Sequence, residues 1–203
     1  MFKELAEDEF VRRAERGGRV AVFKEFLADR ETPVAAFSRL SEREDAFLLE
    51  SVAGGETRGR YSYLGIEPYA TLMESGGVVT LTPRGGSART LPERDALDAL
   101  KRLFAETHYA PAPELPSLQG GAVGYVAYDA VKSFEPRVGL AFENGTPQKA
   151  FLLTDVMLVF DNVRDTVTVV VVSDVAAHPS PREAYAAAKA RIAAVHERLL
   201  SAR

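Results

Sequence analysis

The side chains that most often perform chemistry are sparse in this sequence. Three histidines occur, His108, His178 and His196. None shares a metal-ligand spacing with another histidine or with a carboxylate cluster. No Gly-x-Ser-x-Gly elbow occurs, and no phosphate loop with a trailing lysine. Gly54-Gly55 and Gly120-Gly121 lack the full spacing of a dinucleotide or phosphate cradle, and they read better as turns and bulges. What remains is Glu50-Ser51, placed at the end of the apolar run Phe47-Leu48-Leu49. Successive strand residues face opposite ways, so one of the two is expected to point inward or into a crevice. A buried carboxylate or hydroxyl needs a partner. Two readings stay open: a salt bridge from Glu50 to Arg58 or Arg60, or a small-ligand site. In the second, Ser51 and a backbone carbonyl would receive an ammonium group.

Those residues need a scaffold, and the bulk sequence supplies one. The chain has 203 residues, 46% hydrophobic and 27% charged, an ordinary mixture for a globular protein with a sizeable core. It has no cysteine, which excludes disulfides and thiolate metal sites and fits a reducing cytoplasm. The net charge of −4 gives no electrostatic case for nucleic acid or an anionic membrane. The start, Met1 to Leu5, lacks a signal-peptide core. The longest apolar stretch, Val167 to Val172, contains Thr168 and is too short to span a bilayer.

Along the chain, Phe2, Leu5, Ala6, Phe10 and Val11 predict an amphipathic helix that Gly17-Gly18 ends. Arg19 to Phe26 reads as a strand with Val20, Val22 and Phe26 on its apolar side. Val34 to Leu40, after Pro33, is apolar but of undecided type. Ala46 to Val52 reads as a buried strand, and Arg60 to Leu64 as its hairpin partner. Ala70 to Met73 and Val78 to Thr82 flank Ser75-Gly76-Gly77, a second hairpin signal. Asp95 to His108 predicts a helix. The three prolines between Ala110 and Leu118 predict an extended connector, either a domain boundary or, preferably, a surface crossing. Glycines in Gln119 to Tyr128 predict a strand with a bulge or a close backbone approach. Arg137 to Lys149 reads as a polar loop. Phe151 to Phe160 and Thr166 to Ser173 form the clearest hairpin. The final helix carries a cap at Ser180, Pro181 in its first position and Glu183 completing a capping box. Tyr185, Ala188, Ile192, Val195 and Leu199 make its apolar seam. Helix, strands, helix, strands and a last helix predict an α+β fold, a mainly antiparallel β-sheet with helices on it.

Certain segments also resemble a known family. Asp29-Arg30-Glu31-Thr32-Pro33-Val34, Phe47 to Val52 and Gly59-Arg60-Tyr61-Ser62-Tyr63-Leu64-Gly65 resemble the signature of anthranilate synthase large subunits. So do Gly120 to Asp129 with Lys132, Phe134 and Glu135, and Thr154 to Asp161. They occur in family order over nearly the whole chain. The resemblance implies that residues 1–203 are the N-terminal, regulatory domain of component I, with the C-terminal chorismate-binding domain absent. It implies an enzyme that turns chorismate and an ammonia source into anthranilate, with this part inactive alone. No cofactor is expected in this domain; Mg²⁺ belongs to the full-length enzyme. The implied partners are L-tryptophan as feedback effector, the chain's own C-terminal domain and a glutamine amidotransferase subunit, in the cytoplasm. By the same resemblance, Leu49, Glu50, Ser51 and Tyr61 fall on the effector site, with Ser51 hydrogen-bonding the ligand. Some family members use a lysine where this sequence reads Arg60-Tyr61-Ser62, and Arg60 is expected to be structural. Alternatives are the paralogous aminodeoxychorismate synthase of the folate route, and a subunit-interaction module with no ligand.

Overall fold

The structure, a computed structural model, describes residues 2–15, 18–41, 45–50, 59–135, 137 and 146–201. The chain forms two compact units, each assembled from separated segments. The first takes residues 1–67, 107–121 and 155–203, and the second takes 68–106 and 122–154. The α+β expectation holds, with helices and two mostly antiparallel sheets.

The first unit is built on a six-stranded sheet in the order β2-β3-β10-β11-β1-β7. Its strands are β1 (Arg19–Leu27), β2 (Phe47–Leu49), β3 (Tyr61–Ile66), β7 (Tyr109–Ala110), β10 (Val156–Asp161) and β11 (Thr166–Asp174). All pairings are antiparallel except the short β1–β7 pair. The β10–β11 hairpin is the one the sequence announces, because two β-branched runs flank a polar five-residue turn. Every residue of β10 is buried. In β1 the four consecutive residues Val20 to Phe23 are buried, so this strand has apolar surface on both faces rather than the one-sided pattern expected.

Among the described residues, three α-helices belong to this unit: α1 (Glu7–Ala14), α2 (Pro33–Leu40) and α5 (Pro181–Leu200). The last buries Ala184, Ala188, Ile192, Val195 and Leu199, the predicted seam with Ala184 added, while Tyr185 stays half-buried. Its Ser180 hydroxyl accepts from the Glu183 amide at 3.3 Å and donates to the Glu183 carboxylate at 3.2 Å. In α2, Thr32 caps and Pro33 opens the first turn, which settles the undecided segment as a helix. The first helix is shorter than the periodicity predicts. Residues 3–5 instead extend along β1: Leu5 N donates to Phe23 O at 3.2 Å, and Glu25 N to Lys3 O at 2.8 Å. A strand edge in reach satisfies these amides as well as a helical turn would.

The second unit holds a five-stranded sheet, β6-β5-β4-β9-β8. Its strands are β4 (Ala70–Ser75), β5 (Val78–Pro83), β6 (Arg89–Thr90), β8 (Gly121–Val126) and β9 (Lys149–Thr154). Helix α3 (Ala96–Ala105) buries Ala96, Ala99 and Leu100, and α4 (Val131–Phe134) is one turn long. Asp95 caps α3 by accepting from Leu97 N at 2.7 Å; the helix ends at Ala105, short of the predicted His108. Gly76 and Gly77, both at positive φ, make the β4–β5 turn. Gly124 shows the close approach that its sequence context predicts. A Cβ there would lie 1.9 Å from the Ala150 carbonyl oxygen.

Two further boundaries differ from expectation. Phe151 to Phe160 is not one strand: the run divides at Asp155, with β9 in one sheet and β10 in the other. The predicted loop 137–149 lies mostly outside the described residues, but its last residue, Lys149, opens β9 and is fully buried. The proline connector is held in the first unit by buried Gln119. Its side chain accepts from Ala112 N at 2.8 Å and donates to Ala112 O at 2.8 Å and Pro116 O at 3.0 Å.

Candidate functional site

The described candidate effector residues, Leu49, Glu50 and Tyr61, fall at one edge of the six-stranded sheet, where β2 and β3 pair antiparallel. Phe47 reaches across β3 because Gly65 has no side chain; a Cβ there would meet the ring at 2.1 Å. Leu48 is half-buried, Leu49 is 43% exposed and Glu50 is exposed. This corrects the expectation of a buried strand. Among the described residues, the three residues of β2 form an outer strand with a partner on one side only, and burial stops before Leu49. Ser51 lies outside the described residues, as do Gly54, Gly55 and Arg58.

Leu49 sits opposite Tyr63, and Tyr61 lies two residues earlier on the same strand. Cross-strand partners share a face, and so do residues two apart. Leu49, Tyr63 and Tyr61 therefore share one face of the sheet. The two tyrosine rings are 6.4 Å apart at an angle of 46°. Burial raises the Tyr63 phenol above its ordinary value. Tyr63 was not among the candidates, although its alternation with Tyr61 carries the signal.

Arg60 answers to a different carboxylate from the one expected. Its guanidinium makes a forked pair with Asp161, Nε to Oδ1 at 3.0 Å and Nη2 to Oδ2 at 2.7 Å. It also lies 5.1 Å from the Tyr61 ring centre. Burial alone would raise the Asp161 carboxyl; Arg60 and the Val163 amide outweigh it and hold the group below 3.8. Arg60 thus fixes the start of β3, a structural role.

Tyr61 also borders a polar cavity of about 200 Å³ within the first unit, together with Lys3, Glu25, Glu114, Asp161 and Thr168. Glu25, only 4% exposed, is fully engaged there. It accepts from Lys3 N at 3.1 Å, Arg164 at 3.2 Å and the Thr166 hydroxyl at 3.2 Å. No sequence signal reveals this group, since its partners come from two distant segments, residue 3 and residues 164–166.

His196 stacks on Phe26, ring centres 3.7 Å apart at 13°. Burial, with Lys24 nearby, lowers its pKa below 6.5. The His108 carbonyl accepts from Arg19 N at 2.7 Å. Among the described residues, no group of three His, Cys, Asp or Glu is placed to hold a metal, and no helix is long and apolar enough to cross a membrane.

No protein-family model matches the chain. The chain is 32% identical over 185 residues to "Anthranilate synthase component 1" of Acetivibrio thermocellus, covering 91% of this chain and 37% of that protein. It is 32% identical over 196 residues to the protein of the same name in Pseudomonas aeruginosa, covering 95% and 39%. The crystal structure of anthranilate synthase component I from Streptococcus pneumoniae TIGR4 superposes with a TM-score of 0.58 at 22% identity, over 88% of this chain and 37% of that one. The fold is shared, and the chain spans well under half the length of these relatives.

Proposed function

The chain is a relative of anthranilate synthase component 1 that matches 37% of the first relative's length, and from that premise we propose that it is the N-terminal regulatory domain of such an enzyme. The observation that carries this reading is the coverage: 91% of the chain aligns at 32% identity with little more than a third of its relative. The remainder of the relatives would hold chorismate and Mg²⁺. This chain alone would then turn over no chorismate. A glutamine amidotransferase subunit would be the ammonia source, and the complex would work in the cytoplasm.

The effector would be L-tryptophan, bound at the β2–β3 edge. Leu49 is exposed there beside Tyr63 and Tyr61, which offers an indole an apolar and aromatic surface. Glu50 supplies a carboxylate for an ammonium, and Ser51 would donate or accept one hydrogen bond. Other contacts would come from the catalytic portion, so affinity for the chain alone should be weak. Feedback would require tryptophan to bind one arrangement of the full enzyme better than another.

The sequence contains no tryptophan, so added L-tryptophan is the only indole present. Its fluorescence anisotropy should rise and saturate as protein is added, and Ser51→Ala should weaken binding by tenfold or more. L-Phenylalanine should not compete. The same titration with the catalytic portion present should show tighter binding. No binding in either titration, or full feedback sensitivity in a Ser51→Ala enzyme, removes the effector assignment.

A further inference from the structure

The first unit gives up its chain to the second at two neighbouring places. β3 ends at Ile66, and Glu67 is the last residue before the second unit; β10 begins at Val156, and Asp155 is the first residue after it. Ile66 and Val156 are cross-strand partners, so the two exits lie side by side. Both are held by one helix. Arg191 of α5 forks onto Asp155, Nη1 to Oδ2 at 2.8 Å and Nη2 to Oδ1 at 3.3 Å, and lies 3.9 Å from Glu67. Arg198 pairs with Glu67 as well and donates to Leu40 O, the last residue of α2, at 3.1 Å. Seven positions separate the two arginines, which puts them two turns apart on one helix face.

Glu67 has φ +50°, in the left-handed region that residues other than glycine seldom adopt. An unfavourable backbone persists where surrounding contacts over-determine it. Here those contacts include both arginines. The four charged side chains are 15–44% exposed, buried enough for the network to matter and open enough for salt to reach it.

We propose that α5 is an ionic latch on the paired crossings. Engaged, Arg191 and Arg198 keep β3 and β10 paired to their last residue and hold Glu67 in its left-handed turn. Released, Glu67 relaxes, the Ile66–Val156 pair frays, and the ends of β3 and β10 open locally. The latch makes local opening at this point dependent on ionic strength without touching the apolar core. It stands whether or not the β2–β3 edge binds tryptophan.

Amide hydrogen exchange on the 203-residue chain tests it. In Arg191→Met/Arg198→Met, the backbone amides of 64–70 (Pro68 has none) and of 153–158 should exchange at least tenfold faster, while those of the β1–β11 pair keep their wild-type rates. Adding 0.5 M NaCl should speed the same amides in the wild type and do little in the double variant. Unchanged exchange at the crossings overturns the latch. So does a uniform rise everywhere, which would mark the arginines as general stabilisers. Should the double variant not fold, Glu67→Gln carries the test. Faster exchange confined to 64–70 and 153–158 supports the latch, and wild-type rates there overturn it.

Discussion

The two sheets solve the problem of burial differently. In the first unit, β10 and β11 are buried along almost their whole length on both faces, with helices against one of them. In the second, β4 alternates: Ala70, Leu72 and Glu74 are buried, while Met73 and Ser75 are exposed. The two-faced sheet packs mostly through apolar side chains, with the ion-paired carboxylates Glu25 and Asp161 as buried exceptions. A one-faced sheet against the short helix α3 has less apolar surface, and it adds an ionic keystone. Lys149 is fully buried and donates to Glu74 at 3.0 Å, to Asp95 at 2.6 Å and to the Ser133 hydroxyl at 3.3 Å. Glu74 in turn accepts from Ala96 N at 2.7 Å, so the same carboxylate ties the sheet to the first turn of α3. Burial alone would depress the Lys149 ammonium; Asp95 and Glu74 outweigh it and hold its pKa above 10.5. The lesson is that this unit trades apolar area for specificity: the keystone fixes where α3 starts.

The strongest way to break the contrast is to remove the keystone. Lys149→Met leaves Glu74 buried without its countercharge and should cost about 3–5 kcal/mol. Amide exchange should rise first in α3 and β4, with β10 and β11 little affected. Loss of protection in β10 and β11 to the same degree would mean that the units share one stability. The counterpart in the first unit is Leu158→Ala, in a side chain fully buried on β10, with an expected loss of about 2–4 kcal/mol in urea unfolding. A loss under about 1 kcal/mol would show that the site collapses around the cavity.

Acid sharpens the comparison. Asp95 and Asp161 each face burial, which raises a carboxyl, yet Lys149 in one unit and Arg60 in the other outweigh it. Both end below 3.8, so near that pH the folded protein binds fewer protons than the unfolded chain. Each contributes stability above 3.8 and loses it as pH falls through the depressed native value. Urea midpoints at pH 6 and pH 3 should therefore differ, and Asp161→Asn should flatten the pH dependence of the first unit. An unaltered profile would assign the acid sensitivity to other carboxylates.

The smallest effect is alkaline. Burial pushes Tyr109 up to about 12. Its stabilising share is complete below the ordinary value of 10.0 and is lost as pH rises toward 12. An absorbance titration should show a last phenol step near 12, after those of Tyr63 and Tyr185, absent in Tyr109→Phe. If the variant keeps that late step, the group belongs to another tyrosine.

Local signals carried the elements whose chemistry is local. The Ser180-Pro181-Glu183 start and the seam of the last helix need only a few residues to define them, and both are present. The β10–β11 and β4–β5 hairpins are likewise written in their turns. The division at Asp155 is invisible to that logic. Val156 to Phe160 continues the β-rich pattern of Phe151 to Thr154, and only the second sheet decides that the strand stops. Residues 3–5 keep a helical period but meet the edge of β1 first. Leu49 looked buried because it is apolar, and its exposure depends on β2 being outermost. Glu25, Asp161 and Lys149 gave no warning, because each meets partners from remote parts of the chain.

The order of assembly carries a consequence for synthesis. Val20 pairs with Ser173, and nearly everything between them must be made before that pairing can form. At ribosomal rates of about 5–20 residues per second, β1 waits on the order of ten seconds. During that time the run Val20-Ala21-Val22-Phe23, apolar on both sides, has only residues 3–5 and the short β7 to pair with. Such a strand is a natural client for a holding chaperone. Refolding from denaturant, where β1 and β11 are available together, should be cleaner than folding as the chain emerges.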